Sequence, residues 1–201
     1  MSTKRRSRRS FLVRSVTGWN AAWVAANYHG ILAAQEQVRE ATQAGQLPRL
    51  AFFNEAQAAE IEAMTAQIIP TDQTPGAREA RCLYFIDQAL SSFARGSRQA
   101  YDQGLRDLQA KVQQLYPEVG RFSALTSEQQ IKTLIEIEKT PFFNLVRTHT
   151  VIGFLTHPEH GGNHEKIGWK LIGYDDSLNH KPPFGYYDAQ LITLPSGKEK
   201  P

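Results

Sequence analysis

The stretch AREARCLYFIDQALSSFAR, residues 77–95, indicates the fold class, because its large apolar side chains recur at helical spacing. Positions three and four apart fall on one face of an α-helix, and here they hold Leu83, Ile86, Leu90 and Phe93. Gly96 follows directly, and glycine commonly ends a helix. We therefore predict a helix over residues 77–95, with Ser97 capping the next helix.

The flanking sequence carries further helical patterns, most of which begin at a recognisable signal. Asn54 is a good N-cap for a helix that Pro70 would stop. Residues 126–129 form a capping box, and Thr140-Pro141 places proline at a first helical position. The expected apolar stripes are Ala58, Ile61, Thr65 and Ile68; Tyr101, Leu105, Leu108, Val112 and Leu115; Ile131, Leu134 and Ile135; and Phe142, Leu145 and 151–155. The sequence thus predicts an all-α fold.

The character of the chain changes at Thr156. Residues 156–201 are rich in glycine, histidine, proline and aromatic residues, and they show helical spacing only over about 165–171. Irregular segments of this length are usually functional or lie against a partner. We predict a single helical domain over residues 35–201, helical to about residue 155, with an extended irregular tail over 156–201.

Residues 1–34 have the organisation of an export leader. The stretch 7–12 reads Ser-Arg-Arg-Ser-Phe-Leu, the pattern of a twin-arginine signal, in which a receptor reads two adjacent guanidinium groups that lysine would match poorly. Such signals carry folded proteins to the periplasm, so we expect the twin-arginine translocase as a partner. The residues expected to be recognised are Arg8, Arg9, Phe11 and Leu12.

The apolar part of the leader, residues 16–34, is interrupted by Asn20, Asn27 and His29. A transmembrane helix needs about twenty predominantly apolar residues, so we do not expect this segment to span a membrane. Two candidate processing points, at residues 24–26 and 32–34, leave open whether the leader is removed.

The charge distribution excludes a nucleic-acid-binding function. The formal net charge is +3, but six basic residues lie in the first fourteen positions, and no acidic residue precedes Glu36. From Gln35 onward, 17 basic residues stand against 20 acidic ones, a balance of −3. A mildly acidic body does not neutralise phosphates, so we expect no nucleic acid as a partner.

Cys82 is the only cysteine. A single cysteine excludes a c-type haem site, an iron–sulfur cluster and a cysteine zinc site within this chain. Two interpretations stay open, namely an inert buried thiol and a disulfide with a different chain.

The densest group of chemically capable side chains is residues 157–165, with three histidines and two glutamates. Their spacing matches no hydrolytic zinc signature such as H-E-x-x-H. Gly161-Gly162 instead predicts a tight turn with positive φ, and Asn163 is expected to cap the segment after it. The alternative function is a small periplasmic metal-dependent enzyme or metal-binding protein using His157, His160 and His164.

Motifs for cofactor binding and nucleophilic catalysis are absent from the sequence. There is no G-x-G-x-x-G and no G-x-S-x-G. We therefore expect no cofactor in this chain and no activity from it alone. A leader for folded export on such a chain points to a companion chain that holds the cofactor.

Seven short motifs stand in a recognisable order along the chain, at residues 67–70, 75–80, 84–87, 141–143, 157–163, 168–169 and 172–174. The order Gly-Gly-Asn, Gly-Trp, Ile-Gly-Tyr is the most specific element. With these motifs, the sequence over about residues 52–188 resembles the gluconate 2-dehydrogenase subunit 3 family. At residue 160, where the family usually has tyrosine, this chain has histidine, so no role of a phenol is carried over.

The resemblance implies a non-catalytic small subunit of a periplasmic dehydrogenase complex that oxidises sugars or sugar acids. In such complexes the catalytic subunit is a flavoprotein of the glucose–methanol–choline oxidoreductase type, which would hold FAD, and a c-type cytochrome often takes the electrons onward. The small subunit lends its twin-arginine signal to the catalytic subunit and aids its maturation. Association with the membrane through the complex stays open.

On this hypothesis the tail wraps the catalytic subunit. Tryptophan and tyrosine are enriched where interfaces gain most of their affinity, although each tail aromatic could equally fill the core. The candidate partner-binding residues are His157, Pro158, Gly161, Gly162, Asn163, Trp169, Tyr174, Phe184, Tyr186 and Tyr187.

Overall fold

A computed structural model describes residues 49–176, and these residues form six α-helices and no β-strand. The prediction of an all-α fold is confirmed. The helices are α1 (Glu55–Ile68), α2 (Cys82–Ser91), α3 (Arg98–Leu115), α4 (Ser127–Ile137), α5 (Pro141–Leu155) and α6 (Ile167–Ile172). Short 3₁₀ turns occur at Arg95–Ser97, Phe122–Ala124, Pro158–His160 and His164–Lys166. Within the described range no helix is both long enough and apolar enough to cross a membrane.

Three of the predicted helix starts are formed as expected. Asn54 and Gln57 make a complete capping box at α1, and Thr126 does so with Gln129 at α4. The Thr140 hydroxyl accepts the Phe143 amide at 3.2 Å to start α5. Ser97 takes the predicted N-cap position of α3, but its side chain makes no capping hydrogen bond.

Helix α2 is shorter at both ends than the predicted helix over residues 77–95. Residues 77–81 fold as turns, and Arg81 takes a left-handed conformation with φ of 57°. At the other end, the hydroxyls of Ser91 and Ser92 bond to the carbonyl oxygens of Asp87 and Gln88 at 2.9 and 2.5 Å. Such side-chain bonds compete with helix propagation, and α2 ends there.

The core is organised around α5, which packs against α1, α2, α3 and α6. The main apolar cluster joins the helices α1 to α5 with Phe53 and Phe122. A second cluster joins the C-terminal half of α5 to the turn before α2 and to α6: Ile69, Ala77, Ala80, Cys82, Val151 and Phe154, with Ile167 and Leu171 packed against them. This second cluster positions the C-terminal part of the described chain.

The buried face of α4 differs from the predicted stripe. Ile131 and Ile135 are 46% and 58% exposed, whereas Gln130 and Thr133 are buried beside Leu134. The Gln130 amide nitrogen donates to the Phe122 carbonyl oxygen at 3.1 Å. Because a buried polar side chain with a hydrogen-bond partner carries little penalty, counting apolar residues alone misplaces this face.

A buried hydrogen bond joins α3 to α5. The Tyr101 hydroxyl lies 3.0 Å from His149 Nδ1, and the two rings stack with centroids 5.8 Å apart. Burial lowers the pKa of His149 from 6.5 to about 4, since the charged imidazolium would lose its hydration. At neutral pH the core therefore contains a neutral imidazole.

This histidine predicts a loss of stability in mild acid. The unfolded chain binds a proton at His149 near pH 6.5, whereas the folded chain does so only near pH 4. The contribution of His149 is present above about pH 6.5 and is lost as the pH falls toward 4, by about 3 kcal/mol in total. Urea unfolding at pH 7 and pH 4.5 measures it.

The matched control is His149→Gln, which keeps a hydrogen-bond partner for Tyr101 but does not titrate. We expect the free energy of unfolding of this variant to fall less between the two pH values than that of the wild type. Equal decreases in both proteins would contradict the assignment.

Candidate partner-binding surface

Residues 156–172 lie directly against the backbone of α5. A Cβ atom on Gly162 would overlap the carbonyl oxygen of Gly153, and one on Gly168 would overlap that of Phe154. Glycine is therefore needed at both positions for close backbone approach. Of the predicted turn glycines, Gly161 has the expected positive φ, at 89°, whereas Gly162 does not.

Asn163 fixes this segment to the end of α5. Its side chain is fully buried; Nδ2 donates to the Thr156 carbonyl oxygen at 2.8 Å, and Oδ1 accepts the Gly168 amide at 2.7 Å. The Trp169 indole nitrogen donates to the Leu155 carbonyl oxygen at 2.7 Å. These bonds satisfy carbonyl groups that a helix end leaves without partners, so the Gly-Gly-Asn and Gly-Trp motifs have a structural role here.

Three of the candidate partner-binding residues come together at the surface. The Trp169 ring lies edge-on to His157 and to Tyr174, with centroids 5.5 and 5.1 Å away. Tyr174 is 55% exposed. The Lys166 ammonium lies 5.9 Å from the centre of the Trp169 ring and 2.6 Å from Asp176 Oδ2. We call His157, Trp169 and Tyr174 the aromatic surface; it offers a partner apolar area beside a cation.

Pro158 opens the 3₁₀ turn next to this surface. The His157 ring nitrogen Nδ1 lies 3.4 Å from the Glu159 amide and 3.4 Å from the Glu159 carboxylate. The turn is thereby closed by its own side chains, which holds His157 close to Trp169.

The three histidines of this segment do not form a metal site. No group of three or more potential ligand side chains among residues 49–176 could hold a metal ion. His160 is half-buried, its Nδ1 has no hydrogen-bond partner, and burial, then the neighbouring His157, lowers its pKa. The geometry therefore gives no support to the metal-dependent alternative.

Cys82 lies at the start of α2 in the second apolar cluster and is fully buried. Its sulfur lies 3.6 Å from the Thr150 carbonyl oxygen, and burial raises the pKa of the thiol far above its ordinary range. A buried, protonated thiol does not react with another chain. In this conformation a disulfide with a second chain would require this part of the core to open.

Some of the predicted residues lie outside the described range. They are Arg8, Arg9, Phe11 and Leu12 of the leader, and Phe184, Tyr186 and Tyr187 of the tail. Their roles stay predictions.

Sequence reasoning missed the role of the turn before α2. A Cβ atom on Gly76 would collide with the backbone of residues 69–71. The Glu79 carboxylate accepts the Gly76 amide at 2.8 Å and the Thr71 hydroxyl at 2.7 Å, and the hydroxyl is the main cause of the lowered pKa of Glu79. Only the structure shows that this turn faces α6.

Comparison with protein-family models yields a match. The family model described as gluconate 2-dehydrogenase subunit 3 matches residues 55–176, more than half of the chain. The match runs from the first residue of α1 to the last described residue, so it includes the aromatic surface. No curated protein and no solved structure matches the chain.

Proposed function

Because the chain belongs to the gluconate 2-dehydrogenase subunit 3 family, we propose that it is the non-catalytic small subunit of a periplasmic dehydrogenase that oxidises sugars or sugar acids. Its partner is a catalytic flavoprotein of the glucose–methanol–choline type, which carries FAD. A c-type cytochrome is a further candidate partner, as acceptor of the electrons. The family match over residues 55–176 is the observation that carries this proposal.

We propose two tasks for the chain within that complex. Residues 7–12 supply the twin-arginine signal, through which the translocase exports both chains together in the folded state. The helical body then stabilises the catalytic subunit, which it contacts through the aromatic surface. Tryptophan and tyrosine provide large contact areas that remain compatible with water before assembly, which supports this assignment.

The export task predicts the effect of a conservative change. In the native host, with a tag at the C-terminus, Arg8→Lys with Arg9→Lys is expected to hold both chains in the cytoplasm. Lysine keeps the charge but lacks the planar guanidinium. Fractionation, the flavin absorbance of the tagged material and the presence of a large second chain measure the outcome.

The matched control is Arg5→Lys with Arg6→Lys, an adjacent arginine pair outside the signal pattern, which should leave export unchanged. If the wild-type chain were recovered from the periplasm without a second chain and without flavin, the proposed function would be wrong. Unchanged export of the Arg8→Lys, Arg9→Lys variant would exclude the role of the signal only.

A further inference from the structure

An open groove of about 820 Å³ lies between the turn before α2 and helix α6. The turn contributes Pro75, Arg78 and Arg81, and the other wall contributes Ile167, Lys170 and Leu171. We call these six residues the basic groove. The His164 amide donates to the Ala80 carbonyl oxygen at 3.2 Å, so the two walls are joined by a backbone hydrogen bond.

The cations of the basic groove are incompletely neutralised. Within residues 49–176, neither Arg81 nor Lys170 forms an ion pair. Arg78 lies 4.0 Å from Glu62, with both side chains well exposed, and its charge also contributes to the lowered pKa of Glu79. Such an exposed pair contributes little. Excess positive charge here contrasts with the acidic balance of the chain from Gln35 onward.

Two carboxylates, Glu79 and Glu165, border the groove and reduce this charge without removing it, because three cations stand against them. Glu79 is directed to the Thr71 hydroxyl and the Gly76 amide. Glu165 lies 3.8 Å from the His164 ring. Burial and then the nearby Arg81 guanidinium lower the pKa of His164, which places these two basic side chains close together.

The backbone around the groove is held in an uncommon conformation. Four non-glycine residues in the described range have positive φ, namely Arg81, Asn163, Glu165 and Lys166, and each lines the groove or adjoins a residue that does. Left-handed backbone is unfavourable for residues other than glycine. The buried Asn163 hydrogen bonds hold the segment in this arrangement, which fixes the direction of the side chains along the groove.

We propose that the basic groove binds an acidic segment of the catalytic subunit, whose carboxylates pair with Arg81 and Lys170. This inference rests on the proposed function. Apolar side chains of the same segment cover Ile167 and Leu171. Helix α6 presents these residues and Lys170 to the groove, and it presents Trp169 to the aromatic surface, so the two sites form one continuous interface on either side of a short helix.

The shape of the groove favours a protein segment over a free sugar acid. Small-molecule sites usually enclose most of their ligand, whereas this groove is open along its length. Of the residues that line the groove, Pro75, Ile167 and Leu171 offer the hydroxyl groups of a sugar acid no hydrogen-bond partner. An extended peptide with alternating acidic and apolar side chains can contact both the cations and the apolar residues of the groove.

The test compares charge reversals in the complex purified from the native host through a C-terminal tag. Arg81→Glu with Lys170→Glu should lower the recovery of the catalytic chain about tenfold, because opposite charges become like charges across the interface. Lys139→Glu with Arg147→Glu makes the same change of net charge at exposed positions away from the groove, and recovery should stay within about twofold. Circular dichroism checks that each variant folds.

Lys170→Glu alone provides a second variant that leaves the left-handed Arg81 in place. The proposal is supported if Lys170→Glu lowers the recovery of the catalytic chain more than Lys139→Glu alone or Arg147→Glu alone does. Equal recovery from wild type and groove variants would overturn it and leave the proposed function intact. Release of the complex by added gluconate would also overturn it, in favour of a sugar-acid site. Absence of a flavoprotein from the wild-type preparation would overturn the inference together with the proposed function.

Discussion

Replacing Gly168 with alanine is expected to lower the free energy of unfolding by about 3 kcal/mol or more. The new Cβ atom would overlap the Phe154 carbonyl oxygen, which belongs to the backbone of α5 and cannot rotate away. Helix α6 would have to shift. That shift would break the bond from the Gly168 amide to Asn163 and the bond from Trp169 to Leu155. Urea unfolding of the full chain, followed by circular dichroism, measures the loss.

Gly96→Ala is the matched control for this change. No atom lies within 4 Å of the position that its Cβ would take, and its φ is not positive. We expect its free energy of unfolding to change by no more than about 0.5 kcal/mol. If both variants lost a similar amount of free energy of unfolding, the role of Gly168 would not be to allow the close approach of α6 to α5.

Gly168→Ala is also expected to affect assembly, because α6 carries residues of both the aromatic surface and the basic groove. If these sites bind the catalytic subunit, the displacement of α6 should lower its recovery in the tag purification. A Gly168→Ala chain that is destabilised but recovers as much partner as the wild type would place the interface elsewhere on the molecule.

The starts of α1, α4 and α5 could be predicted from the sequence because their causes are local. The capping boxes at Asn54 and Thr126 each involve two residues three positions apart, and a proline at a first helical position needs no tertiary contact. Such signals can be found without knowledge of the fold.

The extent of α2 could not be predicted, because it depends on distant contacts. Its start is displaced to Cys82 by the turn in which Gly76 lies against residues 69–71 and Arg81 turns left-handed. The apolar spacing over residues 77–95 continues through this turn. Periodicity therefore overestimated the helix although it identified its buried face.

The candidate site could be predicted only in part, for the same reason. The aromatic residues Trp169 and Tyr174 are five positions apart, and the composition of the tail singled them out. Arg81 and Lys170 are nearly ninety positions apart, and nothing in the pattern joined them. Likewise, Gly162 was expected to adopt a positive φ. Glycine is needed there instead for its small size, because the carbonyl of Gly153, nine residues earlier, lies against it.

Replacing Asp87 with alanine is expected to lower the free energy of unfolding by about 3 kcal/mol. The Asp87 side chain is buried in α2 and accepts three consecutive backbone amides: Ala51 at 2.7 Å on Oδ2, and Phe52 at 3.0 Å and Phe53 at 2.9 Å on Oδ1. Hydrogen bonds to a carboxylate are stronger than those to neutral acceptors. Alanine would leave all three amides without this partner, at the point where the chain enters the core through Phe53.

Asp87→Asn separates the contributions of the two carboxylate oxygens. Asparagine can keep its Oδ1 bonds to Phe52 and Phe53, but its amide nitrogen would face the Ala51 amide, and two donors do not bond. We expect a loss of about 1–2 kcal/mol, between wild type and alanine, with hydrogen exchange raised most at residue 51. Asp107→Ala, at an exposed acid on α3, should cost no more than about 0.5 kcal/mol. If Asp87→Ala cost no more than the Asp107→Ala control, the three amide bonds would not be the source of the stability, and the attachment of residues 51–53 would depend on the packing of Phe53 alone.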